Sequence, residues 1–457
     1  MYYKLKPNFD LRSWLERPYM LVSLSSGLAK PVSSVAFQCL SFCNGKTDVD
    51  SVCVLPAHKS LLSAFLKQGL IEECSPNDEI NQEQKPVSFN NEYVHTAHWS
   101  ITGKCNYKCK HCYLSAPNAK YGELSHEQCL SIIDQLSDCG IANVNLTGGE
   151  PLVRSDFFSL VDALCRKNIN IKTIYSNGAL INENLLDEFE KRGIKPNFSL
   201  SFDGIGWHDW LRGVKGAEKI ATDALKLLNK RGFTTDVEMC LHKLNADTLE
   251  SSINLLAELG VSAIKTNPVG NSGEWINQNG KYDLSWEELF NLYLDYIPKF
   301  LKAGSPLTLH LGGFFYCRKG SPKYLIPAQK FNGTENALNC KVCGHAKNVM
   351  YICPDGAILP CMSLSGLPIK LEKTYITKVP LREALSSSEY LSWIDTTLKD
   401  LFVKNVECNK CKYKLTCGGG CRASAALTNN NYFDCDAMSC AIFKNGYIDK
   451  IKEAARI

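Results

Sequence analysis

The chain has 457 residues, 22 of them cysteine, and its 51 basic and 47 acidic side chains leave a formal net charge of +4. That balance is too weak to argue for a nucleic-acid or membrane partner. No apolar run reaches spanning length, and the start, Met1-Tyr2-Tyr3-Lys4-Leu5-Lys6, lacks the apolar segment of a signal peptide. Two or three domains are expected, in a cytoplasmic protein. The cysteines are uneven: three lie between 105 and 112, and a dense set runs from 340 to 440. Clustered thiols in a long chain without an export signal point to metal rather than disulfides. Cys39, Cys43, Cys53, Cys74, Cys129, Cys139, Cys165 and Cys240 sit mostly in apolar or helical patterns and read as small buried hydrophobes.

The first 80 residues read as strands and then helices. Residues 19–24 and 30–32 flank a Ser25-Ser26-Gly27 turn, consistent with a hairpin. Val35, Phe37, Leu40 and Phe42 suit a short helix stopped near Gly45, and Leu61, Leu62, Phe65 and Leu66 follow helical spacing. This order fits a small winged-helix module and resembles the leader-peptide recognition element of ribosomal-peptide modifying enzymes, which is similar to the pyrroloquinoline-quinone chaperone fold. The resemblance implies that a precursor's leader adds as a strand to an exposed sheet edge. A DNA-binding winged helix is disfavoured, because the third helix, over 59–68, carries only Lys59 and Lys67 as basic residues. Residues 81–93 are polar and read as a linker.

From 94 to 315 six apolar runs, at 95–101, 142–146, 171–175, 198–202, 235–241 and 262–265, alternate with helical patterns, as βα units on a parallel sheet do. Each run delivers polar or glycine residues at its C-terminal end, the face where barrel enzymes place their chemistry. The first ends in Cys105-Asn106-Tyr107-Lys108-Cys109-Lys110-His111-Cys112, three thiols close enough to converge on one soft metal centre. A closed Fe–S cluster takes four thiolates, so this run leaves one iron open. A zinc knuckle lacking its fourth ligand is the alternative. The second run ends in Thr147-Gly148-Gly149-Glu150-Pro151.

That cysteine spacing together with the Gly-Gly-Glu motif resembles the radical S-adenosylmethionine (radical SAM) family. The resemblance implies an α/β fold with a partial (β/α)6 barrel. It also implies S-adenosylmethionine on the open iron of a [4Fe–4S] cluster held by Cys105, Cys109 and Cys112, and a 5′-deoxyadenosyl radical formed by reductive cleavage. Gly148 and Gly149 lack side chains, so their backbone can approach the methionine amino group, and Glu150 belongs to the same site by resemblance. His111 takes the place of an aromatic near adenine. Ser176 and Ser201, with Arg212 a further candidate, take positions that contact ribose or carboxylate. His126 and His208 read as structural or exposed.

From 316 to 457, Cys408, Cys411, Cys417 and Cys421 put four thiols within fourteen residues, too dense for core filling. A zinc ribbon is the serious alternative. With Cys343, Gly356 and Cys361 before the quartet and Cys440 after it, the pattern resembles the SPASM extension of radical SAM enzymes, which holds two auxiliary [4Fe–4S] clusters. By position the first would use Cys343, Cys361 and Cys421, with Cys340, Cys317 or an open place as the fourth. The second would use Cys408, Cys411, Cys417 and Cys440, with Cys435 competing for the last place. Met362 stands where sulfatase-maturing relatives carry an Asp base, which disfavours formylglycine-type maturation.

The combined expectation is a three-cluster radical SAM maturase of a ribosomal precursor peptide, with thioether formation first and carbon–carbon cross-linking second. It would be fed by an electron donor such as flavodoxin or ferredoxin, without nucleic-acid or membrane partners.

Overall fold

The computed structural model describes residues 1–81, 84–116, 119–365 and 372–456. Its centre is one sheet in which Thr96–Ser100, Asn143–Thr147, Asn170–Ser176, Asn197–Ser201, Thr235–Leu241, Ala263–Pro268 and Thr308–Leu311 lie side by side in sequence order, all parallel. The six expected strands are present, and the parallel series continues into a seventh. Helices His126–Asp138, Phe157–Arg166, Glu183–Lys191, Ala217–Lys230 and Leu249–Glu258 return the chain between successive strands, and Trp286–Lys302 precedes the seventh.

These helices form where the sequence supplies both a cap and a stripe. Ser125 and Gln128 close a capping box on the first, Ser285 and Glu288 do so on Trp286–Lys302, and Asn182 caps Glu183–Lys191. Their buried residues, such as Ile133 and Leu136, or Phe157, Leu160, Val161 and Leu164, meet Trp99, Val144, Ile174, Leu200, Val237 and Ile264 in one continuous core. Solvated faces are ion-paired: Arg231 binds Glu183, Asp187 and Glu190 of the neighbouring helix.

Alternation along each strand sends every second residue to the opposite face. In most barrels that inner face is packed with branched apolar side chains; here it is polar. Thr235–Leu241 alternates buried and half-buried residues, the latter being Asp236, Glu238 and Cys240. On the same face Glu238 pairs with Lys265 at 3.8 Å, and the His98 and Tyr175 rings lie 5.0 Å apart. The result is a hydrophilic sheet face.

The segment after 316 is not a separate layer. Val349–Ile352 adds parallel to the free side of Thr96–Ser100 and carries Ala357–Leu359 and Thr374–Tyr375 as antiparallel neighbours. Short helices follow, from Leu381–Ser387 to Tyr447–Ala454.

At the N-terminus the expected hairpin forms between Arg17–Ser23 and Ala29–Pro31, and Phe9–Trp14 pairs on the other side. Helices Ser34–Phe42, Val49–Val52 and Pro56–Lys67 pack with Leu5, Leu11, Leu21 and Ile71 in a second, smaller core. The reading of 81–93 as a linker is corrected. Val87–Ser88 pairs parallel to Phe9–Trp14, Phe89 stacks on Trp14 at 5.3 Å, and buried Asn91 donates to the Cys139 carbonyl at 3.2 Å. Polar composition concealed a docking segment whose few apolar residues do the packing. Gln82 and Glu83 of that stretch lie outside the described residues. Among the described residues, no helix is long and apolar enough to cross a membrane.

Candidate active site and cysteine field

The loop after the first strand carries Cys105, Cys109 and Cys112, and the loop after the second strand packs backbone to backbone against it. Gly149 N–H donates to the Thr102 carbonyl and Glu150 N–H to the Lys104 carbonyl, both at 2.9 Å. A Cβ on Gly148 would lie 2.4 Å from the Thr102 oxygen, and one on Gly149 would lie 2.1 Å from the Lys104 oxygen. Both glycines are therefore required by the cysteine loop itself, a stronger reason for them than approach to a ligand. Below, Arg154 donates to the carbonyls of Ile101 and Leu124, and Glu123 accepts from Thr102 Oγ1 and Gly103 N–H, so the base of the loop is pinned. Above, Gly273 and Glu274, in the loop after the sixth strand, cover Cys112, whose carbonyl accepts from Glu274 N–H at 3.0 Å.

Burial pushes the Cys105 thiol up to about 12 and raises those of Cys109 and Cys112. Thiolates here need a cation beside them. Arg212 supplies one, its Nη1 lying 3.9 Å from Cys109 Sγ, and Asn177 Nδ2 lies 3.9 Å from Cys105 Sγ while donating to Asn106 Oδ1 at 2.7 Å. Three soft donors in a rigid cradle with an adjacent guanidinium fit an iron–sulfur centre.

Glu150 is fully buried and accepts from Ser176 Oγ at 3.0 Å, Asn177 N–H at 2.7 Å and Leu152 N–H at 3.2 Å. Burial pushes its carboxyl up to about 7 against the pull of those donors. Folded protein then binds the extra proton between the ordinary carboxylate range and 7, so this group's contribution to stability falls as pH rises through that window. In cluster-free protein, urea melts at pH 4.5 and pH 7.5 are expected to show a change on raising pH that is about 3 kcal/mol less favourable in the native chain than in Glu150→Gln, the buried histidines such as His98 and His111 pulling the other way in both. An equal slope in the variant would contradict the assignment.

The other candidates fall in distinct places. Ser176 is spent on Glu150, accepting in turn from Gly178 N–H at 3.0 Å. Ser201 ends its strand half-buried, beside Glu238 in register. His111 turns inward: one ring nitrogen, a carboxylate oxygen of Asp203 and the Cys240 sulfur lie within 4.8 Å of one another. Burial lowers its pKa to about 3, keeping it neutral. Arg212 donates to Asp203 Oδ2 at 2.6 Å. Burial opposes ionisation of Asp203, but Arg212 and His208 outweigh it and hold the carboxyl far below its usual range. Asp203 also accepts from Cys240 N–H at 3.0 Å.

Asp203 and Asn177 are site residues that sequence reasoning passed over, although both stand at strand ends where it looked for chemistry. His208, read as structural or exposed, is wholly buried against Asp203. His126 is half-exposed and its Nδ1 lies 2.8 Å from an Asp156 oxygen.

In the second field, Cys408, Cys411, Cys417, Cys435 and Cys440 line one cavity of about 460 Å³ including its mouth. Cys408 and Cys435 sulfurs are 3.6 Å apart, so both contenders for the last ligand position, Cys435 and Cys440, face the cavity. Cys343, Cys361 and Cys421 form another group, each within the electrostatic reach of the others and of Tyr432. Cys340 is exposed nearby in sequence. Cys317 is fully buried in the main core and donates to the Ser321 carbonyl at 3.2 Å, which occupies it structurally. Gly418, Gly419 and Gly420 all take left-handed backbone, with φ of 60°, 75° and 72°. A Cβ on Gly420 would strike Asp436 Oδ2 at 2.4 Å. Asp436, buried, accepts from Cys421 N–H at 2.8 Å and ties the two groups together.

Residues 99–256 match the Radical SAM superfamily. An AdoMet-dependent heme synthase of Methanosarcina barkeri is 25% identical over 340 residues, 74% of this chain and 93% of that protein. Mycofactocin maturase MftC of Mycolicibacterium smegmatis is 34% identical over 167 residues, 36% of this chain and 42% of its own length. Streptococcus suis SuiB, solved bound to precursor peptide SuiA, shares the fold with a TM-score of 0.69 over 96% of this chain and 99% of that one, at 15% identity. Residues 99–256 are thus similar to the radical SAM superfamily, and the chain is an enzyme that uses S-adenosylmethionine.

Proposed function

We propose that the enzyme modifies a ribosomally made precursor peptide held by its leader on residues 1–80, and that the modification is an intramolecular thioether. The observation that carries this reading is the open edge of the N-terminal sheet. Among the described residues Ala29–Pro31 pairs on one side only, is partly exposed, and has Tyr19, Leu28 and Val35 exposed beside it. The edge is short and Pro31 has no N–H to give, so a peptide added here would pair chiefly with Ala29 and the Pro31 carbonyl, with the apolar side chains alongside adding contact area. The same sheet rests on the barrel through Trp14, whose Nε1 donates to the Cys139 carbonyl at 3.0 Å. A leader on the edge would therefore be tethered to the body that carries the cysteines.

In this reading residues 94–315 are the catalytic barrel and 316–457 a SPASM-type extension with two auxiliary clusters, on Cys343, Cys361 and Cys421 with Cys340, and on Cys408, Cys411, Cys417 and Cys440. When bound, the cluster of the first cysteine loop and S-adenosylmethionine supply the electron and the carbon radical that takes a substrate hydrogen. The protein's own residues bind and orient. Glu150 offers a carboxylate to the ammonium of the cofactor, and Arg212, locked by Asp203, offsets the charge of the Cys109 thiolate. His98, Tyr175, Glu238 and Lys265 give this sheet face polar partners for a peptide backbone. Forming one thioether removes two hydrogens from the peptide: one leaves carbon as a hydrogen atom to the 5′-deoxyadenosyl radical, and the thiol hydrogen leaves as a proton while the remaining electron would pass to a bound iron–sulfur centre.

Leu28→Glu with Val35→Glu is expected to weaken precursor binding about tenfold, or about 1.4 kcal/mol, while uncoupled S-adenosylmethionine cleavage is unchanged. Fluorescence anisotropy of a labelled leader measures the first and chromatography of 5′-deoxyadenosine the second. Unaltered affinity would remove the N-terminal edge from the account. A second reading, a tetrapyrrole substrate, is favoured by the length over which the heme synthase of Methanosarcina barkeri aligns. Turnover of a tetrapyrrole with no peptide binding would establish it.

A further inference from the structure

Away from the cysteine-rich segments, the small N-terminal core holds a group of metal-ligating atoms that the proposed reaction does not use. Cys39 lies on helix Ser34–Phe42, Cys53 caps Val49–Val52, and His58 sits in the first turn of Pro56–Lys67. The Cys39 and Cys53 sulfurs are 3.9 Å apart, and an imidazole nitrogen of His58 completes a set whose three ligand atoms all lie within 4.8 Å of one another. Both cysteines are buried. His58 Nδ1 is buried as well and has no hydrogen-bond partner among the described residues, an uncompensated cost for a polar atom. Cys43, one helical turn after Cys39, is fully buried within the electrostatic reach of both thiols, its Sγ donating to the Cys39 carbonyl at 3.3 Å.

We propose that Cys39, Cys53 and His58 are ligands of a structural zinc ion that pins the three N-terminal helices to one another, with Cys43 at hand for a fourth position. Two thiols and an imidazole are the donor set of structural zinc, and zinc accepts them in tetrahedral geometry. Iron–sulfur clusters prefer thiolates alone, which assigns this mixed site to a different metal from the other cysteines. The placement answers a need. The core of this module has thirteen buried residues, three of them Cys39, Cys43 and Cys53, and small modules commonly rely on a metal or covalent staple. A Cys39–Cys53 disulfide is the rival staple, but it leaves the buried imidazole nitrogen without a partner.

The test uses the whole chain purified anaerobically with its iron loaded, from medium containing zinc. Elemental analysis is expected to find about one zinc per chain beside the iron. The zinc K-edge spectrum, separate from that of iron, should show sulfur at about 2.3 Å together with imidazole nitrogen at about 2.0 Å. His58→Ala, which leaves the two buried thiols in place, is expected to lower zinc at least about fivefold with iron and S-adenosylmethionine cleavage unchanged. Cys39→Ser should do the same. Any of three results overturns the proposal: iron-replete protein with less than about a tenth of a zinc per chain, an all-sulfur zinc shell, or a Cys39–Cys53 disulfide recovered from native protein by peptide mapping. Because none of these readouts involves a precursor, the inference stands or falls independently of the proposed reaction.

Discussion

Replacing Cys105, Cys109 and Cys112 together with alanine is expected, on the proposed three-cluster reading, to remove about four of roughly twelve irons from the reconstituted chain and to abolish formation of 5′-deoxyadenosine. The first number follows from one cluster held by three thiolates, and the second from the loss of the only place where this account puts the cofactor. The structure adds a reason for expecting the rest of the protein to survive. The cysteine loop is held mainly by Arg154, Glu123 and the Gly149 backbone, with Tyr107 N–H on Cys105 Sγ at 3.4 Å as a local thiol contact, so the sheet should keep its fold and the proposed auxiliary sites their iron. Iron analysis and chromatography of the reduced protein check both outcomes. A triple variant that still cleaves S-adenosylmethionine reductively would displace the active site from this loop.

Gly149→Ala is expected to be nearly as damaging, although it touches no thiol. A methyl group there meets backbone, the Lys104 carbonyl oxygen at 2.1 Å and its carbon at 2.6 Å, with Cys105 Cβ at 3.0 Å. Backbone cannot rotate away as a flexible side chain can, so either the strand end or the cysteine loop must shift, at a cost of about 3 kcal/mol. Displacing Cys105 relative to Cys109 and Cys112 spoils the cradle. Iron at the first site should fall while the auxiliary sites stay loaded, and S-adenosylmethionine cleavage should drop at least about a hundredfold, equivalent to about 2.7 kcal/mol. By contrast Gly193→Ala, at a turn with open space around it, carries only the roughly 1 kcal/mol strain of an alanine at φ 67° and should leave both readouts unchanged. If Gly149→Ala behaves like Gly193→Ala, the close approach is not what fixes the cysteine loop.

Much of this site could be read in the chain because its chemistry is local. Cys105, Cys109 and Cys112 fall within one loop, and Gly148, Gly149 and Glu150 within the next. The six expected strands were legible because each apolar run ends in a polar or glycine residue. Thr308–Leu311 and Val349–Ile352 are only four residues long, too short for period or composition to separate from loop, and the latter finds its partner more than two hundred residues upstream. The polar sheet face was written in the alternation of Asp236, Glu238 and Cys240, which by pattern reads equally well as an exterior surface.

Arg212 and Asp203 show a different limit. Either alone is an ordinary surface residue by pattern, and only the fold brings the guanidinium between the carboxylate and Cys109. Docking of 84–93 was hidden for a third reason. A polar stretch anchored by Phe89, Asn91 and Tyr93 carries too few apolar residues to announce itself. One practical consequence concerns truncation. Because Trp14, Phe89 and Tyr93 pack together against the barrel, removing residues 1–80 would uncover apolar surface, and the edge variants at Leu28 and Val35 isolate leader binding more cleanly.

The most direct test of the proposed reaction is mass spectrometry of a cysteine-containing precursor peptide that binds the N-terminal edge, after anaerobic reaction with S-adenosylmethionine and a reductant. The expected product is lighter by two hydrogens for each link formed, with fragmentation mapping each link to one cysteine sulfur and one partner carbon. A peptide that binds and returns with its mass unchanged, while 5′-deoxyadenosine accumulates, would contradict it.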